Sequence, residues 1–303
     1  MTTPGRGLGV VIVHYGDPTT TLWTVRSVLD DPSAVDRRVA VVDNRANLDP
    51  ADLPDGVMLV PCPANPGYGG GCNRGVLHLE REGGALGWVC CNHDLELEHG
   101  FLDAAASALS DGAGAAGGPI RSGADPSHLW YAGGTVNWLL GVVHQSQSEA
   151  DAARRHRVGF IPGTAMAISA AAWDAVGGFD ERFFLYNEDL DLCLRLRRAG
   201  WELVFEPGMA CSHFLGAATG SSIESALYLE QLSRTRLRPF RPLAYRLYLA
   251  LIHSGWVAAR AARIAVTGPD RGRRVAALVR GHLAAVSAIA RSPRSVPGVE
   301  SAP

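Results

Sequence analysis

Residues 8–14, LGVVIVH, are apolar without a break and rich in β-branched side chains, the pattern of a strand buried on both faces. The spacing then changes. In PTTTLWTVRSVLDD, Leu22, Val25, Val28 and Leu29 recur on one side at helical intervals, which predicts a helix. RVAVVD, VMLVP and ALGWVCCNHD repeat the strand pattern, with a glycine-rich loop over 65–75 and a helix at about 72–82 before the last of them. A helix over 98–109 and a small-residue strand, GAGAAGGPI, follow. Such alternation predicts a largely parallel sheet flanked by helices.

Beyond that point the rhythm shifts. LWYAGGTVNWLLGVVHQ reads as a hairpin turning at Gly133–Gly134, residues 146–157 as a polar loop, and VGFIPGTAMAIS as a returning strand. Then comes YNEDLDLCLRLRRAGW, residues 186–201, with three acids in four positions ahead of a run of arginines. Leu190, Cys193, Leu194 and Leu196 form a helical apolar stripe. Asn187 is placed to cap it, Asp191 to pair with Arg195 at i,i+4, and Gly200 to end it. From about 221 the chain reads as helical, interrupted by PDRGRR at 269–274 and frayed over SPRSVPGVESAP. The division is an α/β domain over 1–220 and a helical appendage over 221–303.

A hydrophobic share of 47% and a charged share of 19% describe a globular chain with a large core. Net charge says little, but its distribution says more. Thirteen arginines face one acid, Asp270, between Arg234 and Arg294, whereas the first 233 residues hold fifteen arginines and twenty-eight acids. A basic tail on an acidic body points to an anionic partner such as a membrane surface. Nucleic acid lacks support, because no aromatic-basic platform or zinc motif is present. The six cysteines show no CxxC spacing and read as reduced core residues of a cytoplasmic protein. The N-terminus becomes a strand too soon for a signal peptide. LYLALIHSGWVAA, between Arg246 and Arg260, is too short to span a bilayer.

Polar groups gather where the predicted strands end: His14-Tyr15, Asp43-Asn44, the loop NPGYGGGCNRG and Asn92-His93-Asp94. Each alone is ordinary turn chemistry. Together they mark a binding edge, since open α/β sheets bind ligands outside the carboxyl ends of their strands. Asp94 suits a divalent cation that also holds a diphosphate. His213 becomes a ligand only with a partner in space.

VVIVHYGDPTTTLWTVRSVL, VVDN, NPGYGGGCNRGV, VCCNHD, PGTAMAISAAAWDAVGGFDERFFLYNEDLDLCLRLRRAGW and SHFLG resemble, in order and spacing, family-2 glycosyltransferases of the rhamnosyltransferase-like branch over residues 8–220. The resemblance implies a GT-A fold, a Rossmann-like nucleotide-binding half joined to an acceptor-binding half. It also implies inverting transfer of a sugar, L-rhamnose or another deoxysugar, from a dTDP-, UDP- or GDP-linked donor. Asp43 corresponds to the acid near the base, and Asn65, Gly67, Tyr68 and Asn73 to the nucleotide loop. Tyr15, Asn44, Gly69, Asn92 and His93 complete that set. Asp94 and His213 correspond to the ligands of Mg2+ or Mn2+, although Asn92 stands where the metal motif can begin with an acid. Asp189 corresponds to the general base. Gly163 and Thr164 would floor the acceptor site, with Trp130 and Asp180 beside it and Glu188 orienting the acceptor.

The acceptor is then a glycan, a lipid-linked saccharide or a natural product, and the basic tail would rest on the inner membrane face. Oligomeric state is open, a homodimer included. A nucleotidyltransferase is the rival enzyme, but no early basic phosphate-activating signature is present. A membrane-tethered scaffold without activity is the rival from another class. The leading reading requires Asp94 and Asp189 to line one cavity.

Overall fold

The computed structural model describes residues 7–214, 225–266 and 270–290. The chain divides into two compact units, Met1–Ser222 and Ile223–Pro303. The expected boundary at 220–221, residue 269 of the interruption and the frayed end over 292–303 lie outside the described residues.

The first unit opens with β1 (Leu8–His14), α1 (Pro18–Leu29), β2 (Arg37–Asp43) and β3 (Val57–Pro61). Then follow α2 (Gly67–Arg81), β4 (Gly87–Asn92), β5 (Leu95–Leu97), α3 (Phe101–Ser110), β6 (Ala115–Gly117), β7 (Ile120–Ser122) and β8 (Leu129–Tyr131). β1 is buried throughout, flanked by β2 and β4 in parallel, which is why its sequence carries no polar face.

The chain continues through β9 (Gly134–Asn137), β10 (Val142–Gln145), α4 (Glu149–Ala152), β11 (His156–Arg157) and β12 (Ala165–Ser169). It ends this unit with α5 (Ala170–Val176), α6 (Glu188–Arg198), β13 (Leu203–Phe205) and β14 (Cys211–His213). The main sheet has the order β11-β13-β6-β12-β4-β1-β2-β3. β12 runs antiparallel to both β4 and β6, so the sheet is mixed. A smaller sheet, β5-β14-β7-β8, carries His213 beside Leu95.

Several local expectations are corrected. The glycine-rich run is not a loop, since α2 begins at Gly67. Its glycines let the helix lie close on its neighbours: a Cβ on Gly71 would come within 2.8 Å of Val13, and one on Gly75 within 2.3 Å of Val11. The hairpin is β9–β10 and turns at 138–141, not at Gly133–Gly134, because β8 pairs with β7. Residues 146–157 are structured. Ser146 and Arg154 hold Asp151, Arg121 pairs with Glu149, and β11 joins β13. The returning strand occupies only its last five residues, Ala165–Ser169. Asn187 makes no side-chain cap, since its backbone is left-handed at φ 64. Gly200 does end α6, at φ 88, and Asp191 pairs with Arg195 at 2.7 Å.

The second unit holds α7 (Ala226–Thr235), α8 (Leu243–Val266) and α9 (Arg271–Ala290), so the first arginines of the expected interruption begin α9. Leu229, Val257, Ile264 and Leu278 form its apolar centre. All six cysteines are buried, free thiols. Among the described residues no helix is long and apolar enough to cross a membrane.

Candidate active site

Register delivers the polar ends of three strands to one edge. β1, β2 and β4 run parallel with His14 opposite Asp43 and Val13 opposite Asn92. β12, antiparallel to β4 with Ala165 opposite Cys91, starts at that same edge and sets Gly163 and Thr164 there. The Asn92 N–H donates to the Thr164 carbonyl at 2.9 Å.

One residue before Thr164, Gly163 connects the site to Asp189. The Gly163 N–H donates to Asp189 Oδ2 at 3.1 Å, and the Leu190 N–H to Oδ1 at 2.8 Å. The Tyr68 hydroxyl donates to the Gly163 carbonyl. One peptide segment, 163–164, thus ties α2, β4 and the head of α6 together. Tyr186 and Asn187, at φ 67 and 64, are consecutive left-handed residues just before Glu188. Such backbone is costly away from glycine and collects at functional positions.

Burial raises the Asp189 pKa above its ordinary value, and its hydrogen bonds from Gly163 and Leu190 oppose that shift. Glu188 is 7% exposed, and its Oε2 has no hydrogen-bond partner. Burial, then the neighbouring Asp189 charge, pushes it up to about 8. At neutral pH Glu188 therefore keeps its proton beside Asp189.

Beyond Asn92, His213 Nε2 lies 3.1 Å from Asp94 Oδ1 and 3.3 Å from Asn92 Nδ2. Burial acts to raise Asp94, but the hydrogen bond and charge of His213 overcome it and hold the carboxyl below its ordinary value. This acid keeps its charge. Among the described residues no group of three or more His, Cys, Asp or Glu could hold a metal ion. Asp94, His213 and the Asn92 amide are therefore a partial donor set. It fits a hard cation that takes its remaining oxygens from a diphosphate and water, and does not fit a closed protein cage.

The other expected residues take definite places. Asp43 accepts backbone N–H groups from Arg45, Ala46 and Leu48 and shapes the turn after β2. Asn44 donates to the Gly67 carbonyl and leaves its buried Oδ1 without a partner. Asn65 Oδ1 accepts from the Gly67 N–H. Asn73 grips Phe179 through both its N–H and its carbonyl, each at 2.9 Å. A Cβ on Gly69 would meet Phe179 at 2.8 Å, so these two positions hold the 179–184 segment against α2. His93 is buried with Nε2 unpaired, and its ring meets His14 edge-on at 5.7 Å. Burial lowers its pKa.

Trp130 packs against the His213 ring at 5.9 Å, which puts it beside the Asp94 cluster. Asp180 grips Arg182 through both carboxylate oxygens. Tyr15 is 37% exposed beneath the Arg45 guanidinium, 5.5 Å above its ring. Arg45 was not marked by the sequence, and its only signal was adjacency to Asp43-Asn44. A cavity of about 330 Å3 borders Asp94 among Trp23, Arg26, His99 and Phe214, and Asp189 does not line it. The 163–164 segment connects the neighbourhoods of the two acids, through the Asn92 N–H on one side and directly to Asp189 on the other.

The family model for Glycosyltransferase like family 2 matches residues 87–238. The chain belongs to glycosyltransferase family 2. This family-2 glycosyltransferase is 32% identical over 225 residues to N-acetylglucosaminyl-diphospho-decaprenol L-rhamnosyltransferase of Mycobacterium tuberculosis, covering 66% of this chain and 69% of the relative. Rhamnosyltransferase WbbL of Escherichia coli is 32% identical over 79 residues, 26% of this chain and 30% of WbbL.

Among solved structures, GalNAc-T7 with UDP, GalNAc and Mn2+ aligns at TM-score 0.56 and 16% identity, covering 76% of this chain and 48% of that one. This chain thus spans about half of that structure. The mannosyltransferase PcManGT of Pyrobaculum calidifontis, with GDP-Man and Mn2+, aligns at 0.53 and 16% identity, covering 94% and 88%. The fold is GT-A, and the chain is a glycosyltransferase.

Proposed function

We propose that this glycosyltransferase moves a deoxysugar, L-rhamnose first, from a nucleotide diphosphate donor to a hydroxyl of a lipid-linked saccharide, with inversion at the anomeric carbon. The observation that carries the reading is the pair of unlike carboxylates near residues 163–164, a charged Asp94 two residues beyond the Asn92 that bonds Thr164 and an Asp189 held by the Gly163 N–H and raised by burial. The M. tuberculosis relative, whose name couples rhamnose to a diphospholipid acceptor, supports the choice of substrates.

The chemistry follows from the placement. Asp189 accepts the acceptor's hydroxyl proton as the acceptor oxygen bonds to the anomeric carbon. The bond from that carbon to the diphosphate breaks, and the nucleotide diphosphate leaves with the electron pair. The Gly163 N–H keeps Asp189 aimed, and Tyr68, through the Gly163 carbonyl, keeps Gly163 in place. Glu188 orients the acceptor, and Gly163 and Thr164 floor its site. Asp43, Asn44 and Tyr15 line the nucleotide end. Asp94, His213 and Asn92 would hold Mg2+ or Mn2+, which supplies positive charge beside the departing diphosphate. The arginine-rich second unit supports peripheral contact with an anionic membrane face.

A panel of dTDP-, UDP- and GDP-sugars, each with and without Mg2+ or Mn2+, tests this by thermal stabilisation and then by transfer. The cognate donor should stabilise the protein in the presence of metal, because a ligand bound only to the native state raises its midpoint. Absence of stabilisation by every nucleotide sugar would sink the reading.

A further inference from the structure

The second unit is short of acids. Its described residues hold eleven arginines against Glu230 and Asp270, and Glu230 is already committed to Arg234 and Arg280. Two of the arginines share one aromatic ring. The guanidinium of Arg236, at the end of α7, lies 4.6 Å from the centre of the Trp256 ring, and that of Arg260 lies 5.1 Å from it. Trp256 itself packs on the Leu229–Val257–Ile264–Leu278 centre, so the ring is fixed.

Among the described residues neither guanidinium has a hydrogen-bond or carboxylate partner, and the Nε atoms of both are buried without one. Burial and the nearby Arg260 charge both work against the charged state of Arg236, with Tyr228 the one group that favours it. Two unpaired cations on one half-buried ring are an unfavourable arrangement unless an anion completes it. A planar guanidinium fork matches phosphate oxygens.

The surroundings add an apolar component. Tyr248, Ile252, Trp256 and Arg260 follow one i,i+4 row of α8, and Tyr248 and Ile252 are 38% and 36% exposed. Leu247 and Leu251 beside them are 55% and 74% exposed. A ligand reaching both ends of this row needs a phosphate joined to a hydrocarbon chain.

We infer that Arg236, Trp256 and Arg260 form a binding site for the phosphate group of an amphipathic lipid, with the hydrocarbon chain along the exposed row of α8. The site lies wholly within the second unit and does not depend on the catalytic assignment. Its phosphate has two sources, a bilayer phospholipid or a single lipid carrying a diphosphate.

The test uses the full chain in EDTA, which silences metal-dependent donor binding. Farnesyl diphosphate and inorganic pyrophosphate are titrated by thermal shift, and sedimentation is measured with phosphatidylcholine vesicles with and without phosphatidylglycerol. Farnesyl diphosphate should bind more tightly than pyrophosphate. The Arg236→Gln/Arg260→Gln double variant should weaken it by roughly tenfold or more. Nucleotide-sugar binding with metal should be unchanged, which separates this site from the donor site. Loss confined to vesicle sedimentation assigns the phosphate to phospholipid, and loss confined to farnesyl diphosphate assigns it to an individual lipid diphosphate. Undiminished binding in both arms by the folded variant overturns the site. Should the double variant misfold, Arg260→Gln alone, at a half-buried position, decides by the same two arms.

Discussion

Asp94 and Asp189 are the same residue in neighbouring parts of one sheet edge, and their environments push them in opposite directions. Asp94 is 8% exposed, yet His213 holds it below its ordinary pKa. Among the described residues no cation acts on Asp189. Its partners are the neutral N–H groups of Gly163 and Leu190, and burial raises it. Burial acts to raise both carboxyls, and only at Asp94 does a neighbouring charge override it. Carboxylates driven apart in this way divide the labour, one holding permanent charge and the other exchanging a proton. That division is what direct displacement requires on the two faces of an anomeric carbon.

Breaking the acceptor side should have the largest effect. Asp189→Asn preserves shape and can still accept from the Gly163 N–H, but cannot take a proton. Transfer should fall by about 10³-fold, while donor-induced thermal stabilisation stays at the wild-type level. Loss of donor binding instead would mean that Asp189 belongs to the nucleotide side.

Breaking the donor side should give the converse pattern and a smaller effect. Asp94→Asn removes the one certain charge of the donor set. Metal-dependent donor affinity, read by the same thermal titration, should fall by roughly 10–100-fold, with transfer partly recovered at high donor and metal concentration. Equal donor affinity in variant and wild type would remove Asp94 from the diphosphate site.

Much of this edge was legible in the sequence. Buried parallel strands are written as unbroken apolar runs, so β1, β2 and β4 stood out, and with them the polar residues at their ends. The Glu188-Asp189 pair was visible as an excess of acid at a helix start. Other features depend on contacts that no local pattern carries. Glycine is a poor helix former, so α2 could not be seen to begin at Gly67; there a Cβ would run into the Phe184 carbonyl, and packing overrides propensity. Gly133-Gly134 reads as a turn, but the chain turns at the exposed Trp138, Leu139 and Leu140, residues that ordinarily mark a core. The direction of the Asp189 shift needed the burial of that side chain, which sequence spacing leaves undetermined.

The sharpest probe of the contrast is Glu188, whose proton affinity the Asp189 charge helps to raise. Glu188 is raised from 4.5 to about 8, by burial first and by the Asp189 charge second. The folded state therefore binds this proton more tightly than the unfolded chain does. Its favourable contribution is complete below about pH 4.5 and is lost as pH climbs toward 8. Glu188→Gln stays neutral throughout. It should be more stable than wild type at pH 8 by roughly 2–4 kcal/mol, with the difference gone near pH 4, as measured by denaturant midpoints across that range. Activity should not follow. Glu188 is already neutral where Asp189 titrates, so the acidic limb of kcat/KM should stay in place. If the limb instead moves down, Glu188 carries a negative charge beside Asp189 in the working enzyme, and burial alone does not set the proton affinity of Asp189.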